Sequence, residues 1–362
     1  MPTPSHTERW RGSIKGILIA ASVAVAVAAP AWATQTPDDV VSRDAGNTEL
    51  ATDAADDVES AAQVQWRAVI AQVTTPAEGC FQASYPDIIW ERVECTKTQS
   101  LVHPEHKEPA VAAEEITGNG HDYAAGAKGL ITQASGGFTT KGVKSERGVG
   151  VVGFGGGGIL GPNEYSLQVN TNANETTSRC AGHSGCRVWQ QYVYSPDYNV
   201  KGKAAVFMQY WLIGWGASAC PSGWGKAGAN CVKNSASVTA PDVAITSLAK
   251  LALEGTASAG GNDSVVFTYG TTAHSITAKD SVLDISSVWK QAEFNVVGNA
   301  GGSRAVFNTG SSVTVTLILL DGSTAAPTCV ANGGTTGETN NLNLGPCKAF
   351  SGIPNIQFTE SN

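Results

Sequence analysis

The chain has 362 residues, of which 42% are hydrophobic and 15% charged, with 41 glycines, 9 tryptophans and 2 methionines. An average globular protein is about a quarter charged. With 23 basic against 31 acidic residues and a net charge of −8, the chain lacks the clustered cations that a phosphate backbone demands, so no nucleic-acid partner is expected.

Residues 1–33 read as a secretory signal. Arg9, Arg11 and Lys15 precede an apolar run from Gly16, and Ala31-Trp32-Ala33 offers the small-x-small pattern of a cleavage site. The run is shorter than the roughly 20 residues of a membrane span, and nothing comparable follows it. A secreted protein, extracellular or periplasmic, with no membrane contact after signal cleavage is expected. Removing three of the basic residues and one acidic residue leaves 20 against 30.

Residues 34–63 carry eight acids and one arginine with few bulky apolar groups. They are expected to form an acidic disordered tail or a pro-segment. Residues 64–100 hold Val64-Gln-Trp-Arg-Ala-Val-Ile, Cys80-Phe-Gln-Ala-Ser-Tyr-Pro and Ile88-Ile-Trp-Glu-Arg-Val-Glu-Cys95, stretches suited to a hairpin. A piece this small needs a staple or a neighbour to pack on. Residues 101–115, with two prolines and mixed charge, read as a linker.

From about residue 116 to 362, short β-prone runs alternate with Gly, Asn, Asp and Ser clusters. The runs begin at Tyr165, Trp189, Ala205, Ser264, Ala292 and Ser312. Their density predicts an all-β domain, a concanavalin-like or jelly-roll β-sandwich, with the small disulfide-stapled N-terminal segment before it. Ala244 to Gly255 is the one helical candidate and fits a strand equally well. All eight cysteines follow the signal, and their local spacing predicts four pairs: Cys80 with Cys95, Cys180 with Cys186, Cys220 with Cys231 and Cys329 with Cys347. No CxxC occurs, and no structural metal is expected.

Several motifs yield to simpler readings. Gly148-Val-Gly-Val-Val-Gly153 has the letters of a dinucleotide fingerprint, but the glycines after Phe154 are a poor helix start. His103 and His106 fall in the linker, with Pro104 between them. His183 and Ser184 share a short Cys-bounded loop, where a nucleophile would need a base and an orienting acid, and no GxSxG elbow exists.

Trp189, Trp211, Trp215 and Trp224 crowd together with Tyr192, Tyr194 and Tyr210, either as core or as a groove for an extended peptide or sugar chain. Glu293 stands in an aromatic and β-branched strand, where it must face solvent or a cleft because unpaired burial costs several kcal/mol. Gln168, Gln190, Gln191 and Gln209 occupy similar strand settings, which amides seldom favour.

The order Ser166-Leu-Gln-Val-Asn, Trp189-Gln-Gln-Tyr-Val-Tyr-Ser-Pro, Ala292-Glu-Phe-Asn-Val-Val resembles that of the eqolisins, the glutamic peptidases built on a lectin-like β-sandwich. Their order is a Gln-Thr-Gly segment, Trp-Tyr-Glu-Trp-Tyr-Pro, then Ala-Glu-Trp-Ile-Val-Glu. Arg304-Ala-Val-Phe-Asn and Val313-Thr-Val-Thr resemble that family's closing strands, so the likeness spans about residues 160–320. It implies Glu293 as the catalytic glutamate and Gln168 as its partner. Gln190 is a rival, since one residue of register swaps faces. Val169-Asn170 stand where the family has Thr-Gly, Gln191 where it has Glu, and Val297 where it has a second Glu.

The resemblance implies a secreted acid endopeptidase that needs no cofactor. Its polypeptide substrate would be held near Trp189, Gln191, Gln209, Tyr210, Trp211 and Trp215. Two other readings stay open. One is a non-catalytic glycan- or peptide-binding module, and the other a polysaccharide-degrading enzyme, for which Glu164 is the nearest candidate for a second carboxylate.

Overall fold

The computed structural model describes residues 59–98, 122–150, 158–331 and 337–362. The signal, most of the acidic stretch, the linker with His103 and His106, and the second half of the Gly148–Gly153 motif lie outside the described residues.

Alternation at period two builds two large sheets, nearly all antiparallel. The first has nine strands in the order Glu91–Val93, Gly79–Ser84, Thr272–Lys279, Asn262–Tyr269, Leu251–Thr256, Gln133–Lys141, Ser312–Leu320, Asn355–Ser361 and Asn343–Phe350. The second has eight: Gly225–Ala227, Asn230–Pro241, Lys203–Ile213, Arg187–Val200, Tyr165–Thr171, Gln291–Gly298, Tyr123–Gly126 and Thr328–Ala331. A smaller sheet of four short strands includes Arg304–Phe307 and Thr339–Asn340, paired in parallel. The expected all-β sandwich is what forms. The four disulfides join the cysteines in the expected local pairs.

The N-terminal piece departs from expectation in one respect. Ala61–Ala71, expected in part as tail and in part as hairpin, is an α-helix opened by a capping box between Ser60 and Gln63. Ser and Gln three apart satisfy two orphan donors, and an alanine-rich turn carries no β-branched penalty. Trp66 and Ile70, four apart, then share one face and pack on Phe81, Ala83, Trp90, Val266 and Ala273. The expected hairpin does form between Gly79–Ser84 and Glu91–Val93, and it extends the nine-stranded sheet by pairing with Thr272–Lys279. The ambiguous segment divides: Ile245–Lys250 is a 3₁₀ turn and Leu251–Thr256 a strand.

Between the two large sheets lies an aromatic and aliphatic core. Tyr194 stacks on Phe267 at 4.0 Å, and Phe138 meets Phe294 at 4.7 Å. Such rings reach across only where the facing strand leaves room. Gly136 lies under Phe294 and Gly255 under Tyr192, and a Cβ at either would collide with the ring. Gly136→Ala is therefore expected to cost about 1–3 kcal/mol through overpacking, measurable by denaturant unfolding, with Gly270→Ala, at an open turn of positive φ, as a strain-only comparison.

Several titratable groups are buried in the frame. Burial and a neighbouring acid push Glu146, Glu164 and Asp263 up to about 8; the neighbours are Glu164, Asp197 and Asp280 respectively. Burial pushes Glu254 up to about 7, against donors on Ser135 and Gln133. Burial lowers His274 to about 4. A carboxyl raised above its unfolded value near 4 stabilises the fold below that value and loses the contribution as pH rises through the folded value. The histidine acts oppositely, losing its contribution as pH falls from about 6.5 toward 4. Four carboxyls outweigh one imidazole, so the melting temperature at pH 4.5 should exceed that at pH 8 by roughly 10 °C. Glu146→Gln should narrow the gap, and scanning calorimetry across this range checks both.

Candidate functional site

The strand register decides which side chains meet. Asn170 lies opposite Glu293 on one side and Gln191 on the other, and Gln191 in turn opposite Gln209. Trp189 lies opposite Trp211. By alternation Ser166, Gln168 and Asn170 leave one face of their strand, while Leu167 and Val169 enter the core between the sheets. Gln168, Gln191, Gln209, Glu293, Trp189 and Trp211 therefore share the face turned away from the nine-stranded sheet.

Along this face runs a hydrogen-bond ladder. Gln209 Nε2 donates to Asn234 Oδ1 at 2.7 Å, and Trp211 Nε1 donates to Gln209 Oε1 at 3.0 Å and to Gln191 Oε1 at 3.1 Å. Gln191 Nε2 donates to Gln168 Oε1 at 3.0 Å. Asn170 Nδ2 spans Gln168 Oε1 at 3.5 Å and Glu293 Oε2 at 3.1 Å. The indole N–H can only donate, so it points the Gln191 oxygen toward itself. The Gln191 amide then faces the Gln168 oxygen, and the Gln168 N–H₂ is left to donate outward. Its acceptors are Ser166 Oγ at 3.1 Å and Glu338 Oε2 at 2.9 Å.

The acid end of the ladder is crowded. Asp122 and Glu338 bring two further carboxyl groups close to Glu293. Burial first, and then these two acids, hold Glu293 well above the ordinary carboxylate range, with Asn170 pulling the other way. Glu360 is likewise raised by burial and by Asp122, against donors on Asn295 and Asn340. Gln168 and Glu293 are each 2% exposed. Among the described residues, no group of three or more His, Cys, Asp or Glu is arranged to hold a metal ion.

The expected site residues divide by face. Gln190 is not on the site face. It points between the sheets, where its Nε2 donates to Asp263 Oδ2 at 3.0 Å. One residue of register separates it from Gln191, and that residue swaps faces. Tyr210 is also turned into the core, its hydroxyl 3.8 Å from Met208 Sδ. Trp215 lies past the strand end, its ring stacked on His183 at 3.3 Å. Glu164 bonds Asn299 in a separate acidic group with Asp197. It is six residues along the strand from Asn170, about 20 Å at strand rise, too far from Glu293 for a glycosidase pair.

Sequence reasoning missed Asp122, Asn170, Asn295, Glu338, Asn340 and Glu360. Asn170 and Glu360 carry a signal, since each continues an alternation: Asn170 follows Gln168, and Glu360 takes the inward position after Ile356 and Phe358. Glu338 carries none, because nothing in its Gly- and Thr-rich surroundings marks it.

No family model matches the chain, and no curated protein matches it. Among solved structures it is similar to the crystal structure of scytalido-glutamic peptidase with a transition state analog inhibitor, at 9% identity and a TM-score of 0.30, covering 67% of this chain and 98% of that one. At that score the likeness carries no weight for the chain's chemistry, which rests on its own residues.

Proposed function

We propose that the chain is a secreted acid endopeptidase that hydrolyses peptide bonds with Glu293 and Gln168. The observation that carries this reading is the shared face: a carboxyl and an outward-donating carboxamide, joined through Asn170 and pre-oriented by a ladder of amides. Export fits the four disulfides, which persist in oxidising compartments.

In this reaction Glu293 takes a proton from a water molecule as its oxygen attacks the scissile carbonyl carbon. The carbonyl oxygen gains negative charge and accepts from Gln168 Nε2. Glu293 then returns the proton to the leaving amine as the carbon–nitrogen bond breaks, so the base is regenerated. Glu338 Oε2 now occupies the acceptor position that the substrate carbonyl would take, so it must leave Gln168 when a peptide binds. An amide does not titrate here, and its donor strength is therefore constant across the acid range. The paired tryptophans favour this reading over a sugar platform: Trp189 and Trp211 are fully buried, and Trp211 serves the ladder.

The test is digestion of acid-denatured protein by the mature chain from about pH 3, below the ordinary Glu value, to about pH 9, since Glu293 is raised and must ionise to act as base. Glu293→Gln should abolish cleavage, Gln168→Ala should lower kcat by about 100-fold or more, and Gln190→Ala should leave kcat within about threefold, since it faces the core. Cleavage that survives Glu293→Gln would refute the reading. Trp211→Phe removes the donor that orients Gln191 and, through it, Gln168. It should lower kcat about tenfold, the equivalent of one hydrogen bond, with KM little changed, as steady-state kinetics on a short peptide would show.

A further inference from the structure

We propose that Glu338 is an autoinhibitory residue: its carboxyl group stands on Gln168 where the substrate carbonyl and, after cleavage, the new C-terminal carboxylate of the product would stand. This rests on the peptidase reading above and adds a control on access to the same site.

Two parts of the chain 170 residues apart make the contact. Gln168 has two N–H donors. One goes to Ser166 Oγ at 3.1 Å, two residues back on the same strand, and the Ser166 hydroxyl is itself fixed by donating to the Gly298 carbonyl at 2.8 Å. The other goes to Glu338 Oε2 at 2.9 Å. Which way the amide faces is set at its oxygen, which accepts from Gln191 Nε2 and Asn170 Nδ2. Ser166 belongs to the sheet, so the acceptor that an incoming peptide displaces is Glu338. Glu338 is fully buried and Gln168 nearly so, and the resting contact closes the amide nitrogen to solvent.

The backbone beside Glu338 delivers the carboxyl group and also allows its withdrawal. The parallel pairing of Thr339–Asn340 with Arg304–Phe307 begins at Thr339, whose N–H donates to the Ser303 carbonyl at 3.2 Å. Asn340 is anchored through Nδ2 to Val296 O at 3.2 Å and to Glu360 Oε2 at 2.9 Å. Glu338 lies one residue before this anchor, and Gly337 before it has a φ of 93°, a left-handed backbone that glycine adopts without strain. Rotation at Gly337 and about the Glu338 side chain withdraws the carboxyl group with the two-residue pairing intact. A glutamate side chain and the C-terminus of a cleaved peptide end in the same chemical group, so Glu338 acts as a tethered product. Substrate must displace it before binding, a cost that enters KM rather than kcat.

Steady-state kinetics on a short peptide compare the wild type with Glu338→Ala. The variant should show kcat/KM raised about tenfold or more, chiefly through a lower KM, the worth of one hydrogen bond to a charged group. Sodium acetate at about pH 6, above the ordinary carboxyl value, refills the vacated position and should inhibit Glu338→Ala competitively at roughly tenfold lower concentration than the wild type. An unchanged kcat/KM overturns the proposal, and so does a fall in kcat at constant KM, which would make Glu338 a positioning residue. Should Glu338→Ala not fold, Glu338→Gln decides: a neutral acceptor is about half as strong as a charged one, so kcat/KM should rise roughly threefold, and no rise overturns the proposal. A second readout needs no cleavage. The ¹⁵N side-chain amide resonance of Gln168, identified by its loss in Gln168→Ala, should shift saturably with acetate in Glu338→Ala and stay in place in the wild type; the same response in both overturns the proposal. If that shift is seen while no form cleaves, the peptidase reading falls and Glu338 remains the occupant of a carboxylate site. If Glu293→Gln abolishes cleavage while Glu338→Ala behaves as wild type, the peptidase reading stands and autoinhibition falls.

Discussion

Burying a carboxyl group away from water costs several kcal/mol unless donors surround it or it keeps its proton, and the eight-stranded sheet does this to Glu293 with Asp122 and Glu360 close by. The donors that meet these acids are Asn170, Asn295 and Asn340, all carboxamides. An arginine or lysine in their place would pin the carboxyls in the ionised form. Amides satisfy the oxygens and leave protonation to be set by the acids themselves. The unusual number of strand glutamines and asparagines follows from this constraint, since a buried amide is tolerated only where another polar group completes its bonds.

The remainder of the molecule holds that face still. Gln168, Gln191 and Glu293 come from three adjacent strands whose opposite sides carry Leu167, Tyr192 and Phe294 into the core. Tight packing on the apolar side fixes the strand spacing on the polar side, and the ladder distances inherit that precision. The glycines at 136 and 255 belong to the same arrangement, because they let Phe294 and Tyr192 seat fully against the facing sheet. Mobility in either ring would reach the polar face through a single backbone.

Much of this is legible in the sequence. Strand runs, turn clusters and local cysteine spacing lead to the sandwich and its four bridges, because each is set by neighbours in sequence. Glu293 and Gln168 stand out because a charged or amide residue in a β-branched strand needs a reason. The choice between Gln168 and Gln190 as partner to Glu293 was not legible, since face depends on register with another strand and a one-residue slip inverts it. Tyr210 was misread for the same cause. The helix at Ala61–Ala71 was hidden because acidic, alanine-rich sequence reads as tail until the Ser60 and Gln63 cap is noticed. Asp122 and Glu338 could not be found at all, because their partners are 171 and 170 residues away in the chain.

The ladder has a direction, and the direction is chemical. It begins at an indole that can only donate and ends at Glu338, a carboxyl that, once ionised, can only accept. Gln191 and Gln168 present their oxygens toward the indole and their nitrogens away, while Asn170 donates both to Gln168 Oε1 and to Glu293, so Gln168 cannot flip without leaving two oxygens or two N–H₂ groups facing each other. That polarity, closed by Glu338 Oε2 as acceptor, holds the neutral Gln168 amide as a donor. The donors that meet Glu293 and Glu360 are likewise neutral amides, so burial raises both carboxyls well above their ordinary range. Orientation and acidity are thus two results of one choice, the use of carboxamides in place of bases to line a buried acidic face.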